Sequence, residues 1–154
     1  MITEKMTAVS TMVEIMPLIQ ESLNAGSAVR IFPMGSSMLP MIRQGTDSVV
    51  LSPVSGALKK YDLPLYRREK GKYVLHRIVE AADTYTCLGD NQFVPESGIR
   101  QDQIIAVVTA FYRGDKLYSV DNPAYRLYCR LWYHSRHCRR VVHRAGDWCR
   151  RHFR

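Results

Sequence analysis

The sequence predicts a mainly β protein with an N-terminal helix and a basic amphipathic helix at the C-terminus. Three observations carry this: a 3.6-residue apolar period confined to the two ends, short β-type runs between residues 28 and 120, and turn clusters separating those runs. The chain has 154 residues, 46% apolar and 23% charged, which is enough for one enclosed core and ordinary globular usage.

Residues 3–24 read as helical, because Val9, Met12, Val13, Met16, Ile19 and Leu23 fall near a 3.6 period while Glu14, Gln20 and Glu21 lie off it. Pro17 is expected to break this pattern into two pieces, and Asn24-Ala25-Gly26-Ser27 is a stop signal. Strands are expected at 28–32, 48–51, 64–67, 72–80, 85–88, 104–112 and 116–120. Turn residues punctuate them at Gln44-Gly45-Thr46-Asp47, Glu69-Lys70-Gly71, Pro95-Glu96-Ser97-Gly98 and Arg113-Gly114-Asp115. A second helix is expected after Asn122, a suitable N-cap, with Pro123 at its first position. The chain thus divides into an N-terminal helical segment (1–26), a β-rich body (27–121) and a helical tail (122–154).

The net charge of +8 is not spread evenly. Residues 1–121 carry 13 basic and 13 acidic side chains, whereas 122–154 carry nine arginines and one acid, Asp147. A neutral body with a basic tail disfavours a general nucleic-acid-binding domain. No apolar run is long enough for a transmembrane helix, and the N-terminus lacks the pattern of a secretory signal. The four cysteines, at 87, 129, 138 and 149, do not form a disulfide framework, so reduced thiols and a cytoplasmic location are expected.

Three short motifs bear chemistry. Gly35-Ser36-Ser37-Met38-Leu39-Pro40 places hydroxyls after a flexible glycine, as a nucleophilic serine requires, though a Ser-rich turn would look the same. His76, in Val74-Leu75-His76-Arg77-Ile78-Val79, is the sole histidine of the body, and suits either a general base or a hydrogen-bonded structural residue. Gly89-Asp90-Asn91 is an acidic turn.

In that order and spacing, Ser-Met-x-Pro, His-Arg-Ile-Val and Gly-Asp-Asn resemble the signal peptidase I and LexA-like serine peptidase superfamily, over about residues 28–112. Gln44–Val50, Lys60–Arg67 and Ile104–Val108 resemble its following strands, with Tyr61 and Ala106 where glycines are usual. The resemblance implies a LexA/signal-peptidase-like catalytic fold and a serine endopeptidase cutting a leader or precursor peptide. Ser37 would be the nucleophile. His76 would be the base, as in the archaeal, endoplasmic-reticulum and sporulation-type branch. The orienting acid would be Asp90, preferred over Glu96. The Ser37 N–H would serve the oxyanion, with Ser36 standing in for a hydroxyl donor that Gly35 lacks, and Met38 would lie at the substrate. No cofactor or metal is implied.

A catalytically silent peptide-binding module of the same fold is the alternative, and a DNA-associated regulator is a more distant one. Neither the family's membrane anchor nor the helix-turn-helix of LexA-like repressors is expected in the 26 or so residues before the body. Self-cleavage at Ala25-Gly26 is disfavoured by its closeness to Ser37. For the tail, Ala124, Leu127, Tyr128, Leu131, Cys138, Val141, Val142, Ala145, Trp148 and Cys149 are expected to form an apolar stripe interrupted around Ser135. That stripe suits packing on the body or a peripheral position on an anionic membrane, with Trp132, Tyr133, Trp148 and Phe153 at the rims. Nucleic-acid binding is a weaker reading, and zinc ligation by His134, His137, Cys138, His143 and Cys149 fits no standard spacing.

Overall fold

The computed structural model describes residues 12–143. Val9, Ala145, Asp147, Trp148, Cys149 and Phe153, for which the sequence raises expectations, lie outside the described residues. In order, the elements are α1 (Met12–Asn24), β1 (Val29–Ile31), β2 (Asp47–Ser52), β3 (Pro64–Arg67), β4 (Tyr73–Leu75), β5 (Arg77–Ala81), β6 (Tyr85–Leu88) and β7 (Glu96–Ile99). A 3-10 turn (Gln101–Gln103), β8 (Ile104–Arg113), β9 (Lys116–Ser119) and α2 (Pro123–His134) complete them.

Helix α1 buries Met16, Ile19 and Leu23 of the predicted stripe and partly buries Met12, whereas Val13, expected on the same stripe, faces solvent. It does not break at Pro17, which lies inside the helix on its exposed side. A ring facing solvent avoids the core, and the buried stripe holds both halves on one axis despite the missing N–H. The helix ends at Gly26, whose φ is +77°. Its N–H donates to the Leu23 carbonyl at 2.9 Å and that of Ser27 to Ser22 at 2.9 Å, closing the last turn.

Two antiparallel sheets follow. The larger has the order β1-β2-β8-β3-β4, with β9 also on β8. Strand β8 is its axis: β2 lies along one edge, while β3 and then β9 share the other. The smaller sheet is β5-β6-β7. The predicted strand at 72–80 is therefore two strands in two sheets, with His76 between them. A further correction is β7, which occupies the predicted turn at Pro95-Glu96-Ser97-Gly98. Its residues lack β propensity; pairing with β6, at Tyr85↔Ile99 and Cys87↔Glu96, makes it a strand.

One core joins α1 to the large sheet and α2 through Met16, Leu23, Met38, Leu51, Leu65, Phe111 and Tyr125 among others. A second, with Leu58, Tyr66, Val74, Ile78, Tyr85, Cys87 and Ile99, lies between the sheets. Fully burying each such large side chain contributes about 1.5–3 kcal/mol. Both helices thus share the body's core rather than standing apart from it.

Helix α2 starts as predicted: the Asn122 side chain accepts from the Ala124 N–H at 2.8 Å, ahead of Pro123. After a turn at Ser135 the chain is helical again over 136–143. The predicted apolar stripe is not the face that packs on the body, although its Tyr128 is partly buried against the main core. Tyr125 and Cys129 are buried, while Leu127 and Leu131 face solvent. The reason is polar: buried Arg77 donates to the Tyr125 hydroxyl at 2.9 Å and the Cys129 sulfur at 3.0 Å, drawing that face inward. Among the described residues no helix is long and apolar enough to cross a membrane.

Candidate active site

The loop between β1 and β2 carries Ser36, Ser37 and Met38. Gly35 opens it at φ +93°, a left-handed value that favours glycine, and its N–H donates to the Gln44 side chain at 2.9 Å. Leu39 N–H donates to the Ser36 carbonyl at 3.2 Å and Ile42 N–H to Met38 at 3.0 Å, giving a tight turn with a cis Leu39–Pro40 bond. Buried Asp47 closes the loop by accepting from the Arg43 backbone and guanidinium and from the Gly114 N–H. The Arg43 hydrogen bonds hold its carboxyl at about 2. Ser36 is exposed, Ser37 half-buried, and Met38 buried in the main core.

The Gly89-Asp90-Asn91 turn grips this loop from the other side. The Asn91 N–H donates to the Ser37 carbonyl at 2.8 Å, and its side chain to the Ser36 carbonyl at 3.3 Å. Gly89 is pressed so closely that a Cβ there would lie 2.7 Å from the Ser37 carbonyl oxygen. The glycine is required for approach, not for torsion.

Ser36, Ser37, Met38 and His76 line one cavity of about 410 Å³, with Met34, Arg68, Lys72, Asn91 and Gln92 also on its wall. His76 itself is 4% exposed. Its Nδ1 lies 3.3 Å from the Tyr66 hydroxyl, which donates to Glu96 Oε2 at 2.8 Å. Arg68 holds both Glu96 oxygens, at 2.7 Å (Oε1, from Nε) and 2.6 Å (Oε2, from Nη2). Burial opposes ionisation of Glu96, but the bonds from Arg68 and Tyr66 outweigh it and keep its carboxyl below the ordinary value. An ionised carboxylate can only accept, so the Tyr66 proton points to Glu96 and its oxygen accepts from His76 Nδ1–H. That leaves Nε2 as the basic nitrogen. Burial, then the charge of Arg68, pushes the imidazole down to about 4, so it is neutral at pH 7.

Asp90 has a different place. Arg77 Nε and Nη2 grip its two oxygens at 2.8 and 2.7 Å, with both side chains 3% exposed. Burial works against the Arg77 charge, but Asp90 more than restores it. The Asp90 carbonyl accepts from Trp132 Nε1 at 2.7 Å and Arg139 Nη1 at 3.2 Å, tying the C-terminal helices to the turn that holds Ser37. Glu96 is thus hydrogen-bonded towards His76 through Tyr66, whereas Asp90 is bonded to Arg77.

Sequence reasoning missed Tyr66 and Arg68, which read as ordinary strand residues, and gave Asn91 no task of its own. Among the described residues, no three His, Cys, Asp or Glu side chains gather as metal ligands. Cys87 is buried behind the site, its thiol pushed up to about 12 by burial and then by Glu96. No family model, curated protein or solved structure matches this chain.

Proposed function

We propose that the protein is a serine endopeptidase of the signal peptidase I and LexA-like type, cleaving a leader or precursor peptide. The observation that carries this reading is the shared cavity of Ser37 and His76, from two distant segments, beside an open strand edge. Among the described residues β4 pairs with β3 alone, and Tyr73, Val74 and Leu75 of β4 also line the cavity. An extended peptide can add to such an edge, which leads its carbonyl towards the serine. Tyr61, standing where the resemblance expects glycine, holds φ +79°, the backbone region that favours glycine. This too supports the family reading.

In the proposed reaction His76 Nε2 takes the Ser37 hydroxyl proton as Oγ attacks the peptide carbonyl. The imidazolium passes the proton to the leaving amine, and water, deprotonated by the same nitrogen, releases the acyl group. Glu96 favours the charged imidazole electrostatically, and Tyr66 fixes its ring. Incubation with a proteome-derived peptide library, read by mass spectrometry, tests this. The wild type is expected to produce defined new termini that vanish in Ser37→Ala and His76→Ala. Undiminished cleavage by Ser37→Ala overturns the mechanism.

A further inference from the structure

We propose that the outward face of the C-terminal helices is a docking surface for an anionic lipid bilayer. Leu127, Leu131, Val141 and Val142 are 56%, 62%, 67% and 70% exposed. At 100° per residue they fall on one line of the helix surface, together with exposed His134 and Cys138. The opposite line is already committed: Tyr125 and Cys129 are buried, and Trp132 and Arg139 bond to Asp90. Among the described residues this ridge, on the solvent side of a helix anchored by its other side, joins neither core.

The charge around the ridge selects its occupant. Residues 122–143 hold five arginines and no acid. Arg130 is exposed beside the ridge, and Arg126, which pairs with Asp121, and Arg140 are exposed further round the same flank. A second copy placed face to face would set these like charges against each other. A nucleic-acid backbone would match the arginines but leave the leucines and valines against water. A bilayer with anionic headgroups satisfies both, with the apolar line at the acyl boundary and guanidinium groups among phosphates. On the side away from the ridge, the far end of this segment also packs on the body, the His143 ring lying 5.4 Å from that of Phe93. The surface itself does not depend on the peptidase reading.

Cosedimentation of the full chain with vesicles of phosphatidylcholine alone, or mixed with phosphatidylglycerol, tests the proposal. Binding is expected to the mixed vesicles alone and to weaken with salt. Leu127→Gln/Leu131→Gln and Arg130→Gln/Arg140→Gln are each expected to lower it at least about tenfold. All four side chains are exposed, and an unchanged near-UV circular dichroism spectrum verifies the fold. Lys70→Gln, on the body, is expected to bind as the wild type does. Equal binding to both vesicle types, or full binding by the Leu variant, overturns the proposal. So does a dimer in sedimentation velocity that the Leu variant abolishes without any lipid binding.

Discussion

Tyr66 and His76 meet at 3.3 Å, hydroxyl to Nδ1, where the polypeptide passes from the larger sheet to the smaller. Because the hydroxyl proton is committed to Glu96, the contact fixes the tautomer of a buried imidazole. Tyr66→Phe removes that choice. Long-range proton–nitrogen NMR is expected to show the Nδ1–H form in the wild type and a mixture in the variant. Turnover of a peptide cut by the wild type is expected to fall about tenfold to a hundredfold in kcat, with KM little changed. A wild-type Nε2–H tautomer would refute the arrangement.

Burial of His76 also predicts how stability depends on pH. Its folded value of about 4 lies below the ordinary 6.5, so the unfolded chain binds a proton first as pH falls. Stability from this group is complete above about pH 6.5 and is lost progressively down to about pH 4. Between pH 7 and pH 5 the loss is about 2 kcal/mol. Denaturant titrations at the two pH values are expected to show that drop in the wild type and to lack it in His76→Asn. Parallel losses in both proteins would assign the effect elsewhere.

The two candidate acids separate by what their removal costs. Asp90→Asn breaks an enclosed ion pair and leaves Arg77 charged in the core, an expected loss of about 3–5 kcal/mol and about 10 °C in Tm. Glu96→Gln disturbs a partly exposed pair with Arg68 and is expected to cost about 1 kcal/mol or less. In turnover the ranking inverts for equally folded protein: Glu96→Gln lowers kcat and depresses the imidazole further. Thermal melts together with single-turnover rates check both halves. A stable Asp90→Asn with a larger kinetic defect than Glu96→Gln would restore Asp90 as the orienting acid.

Much of the fold was legible because local pattern and tertiary role agree. The α1 stripe, the strands at 64–67 and 85–88 and the Asn122-Pro123 helix start all express propensities that the packing then uses. The misreadings share one cause, a long-range partner that outweighs local preference. His76 divides a run that reads as a single strand, and β6 makes a strand of Glu96–Ile99, over most of the expected turn. Arg77 turns a different face of α2 inward by recruiting Tyr125 and Cys129. At the site, Ser37 and His76 stand in recognisable motifs. Tyr66 does not, since a tyrosine in an apolar strand looks like core until its hydroxyl is placed.

Gly89 offers the sharpest test of how the serine loop is held. Its φ is not in the left-handed region, so alanine fits the backbone torsions and acts through contact alone. The added Cβ meets the Gln92 side chain at 3.0 Å, which can swing away, and the Ser37 carbonyl at 2.7 Å, which cannot without moving the loop. That carbonyl is the acceptor of the Asn91 N–H, so the displacement must stretch this hydrogen bond. Gly89→Ala is expected to cost about 1–3 kcal/mol, lower the exchange protection of the Asn91 amide at least tenfold and reduce kcat about as much. Asn91→Ala keeps the backbone donor and loses the 3.3 Å side-chain bond to Ser36, so it is expected to change kcat about twofold or less. If Gly89→Ala keeps both full protection and full turnover, the turn does not set the position of Ser37.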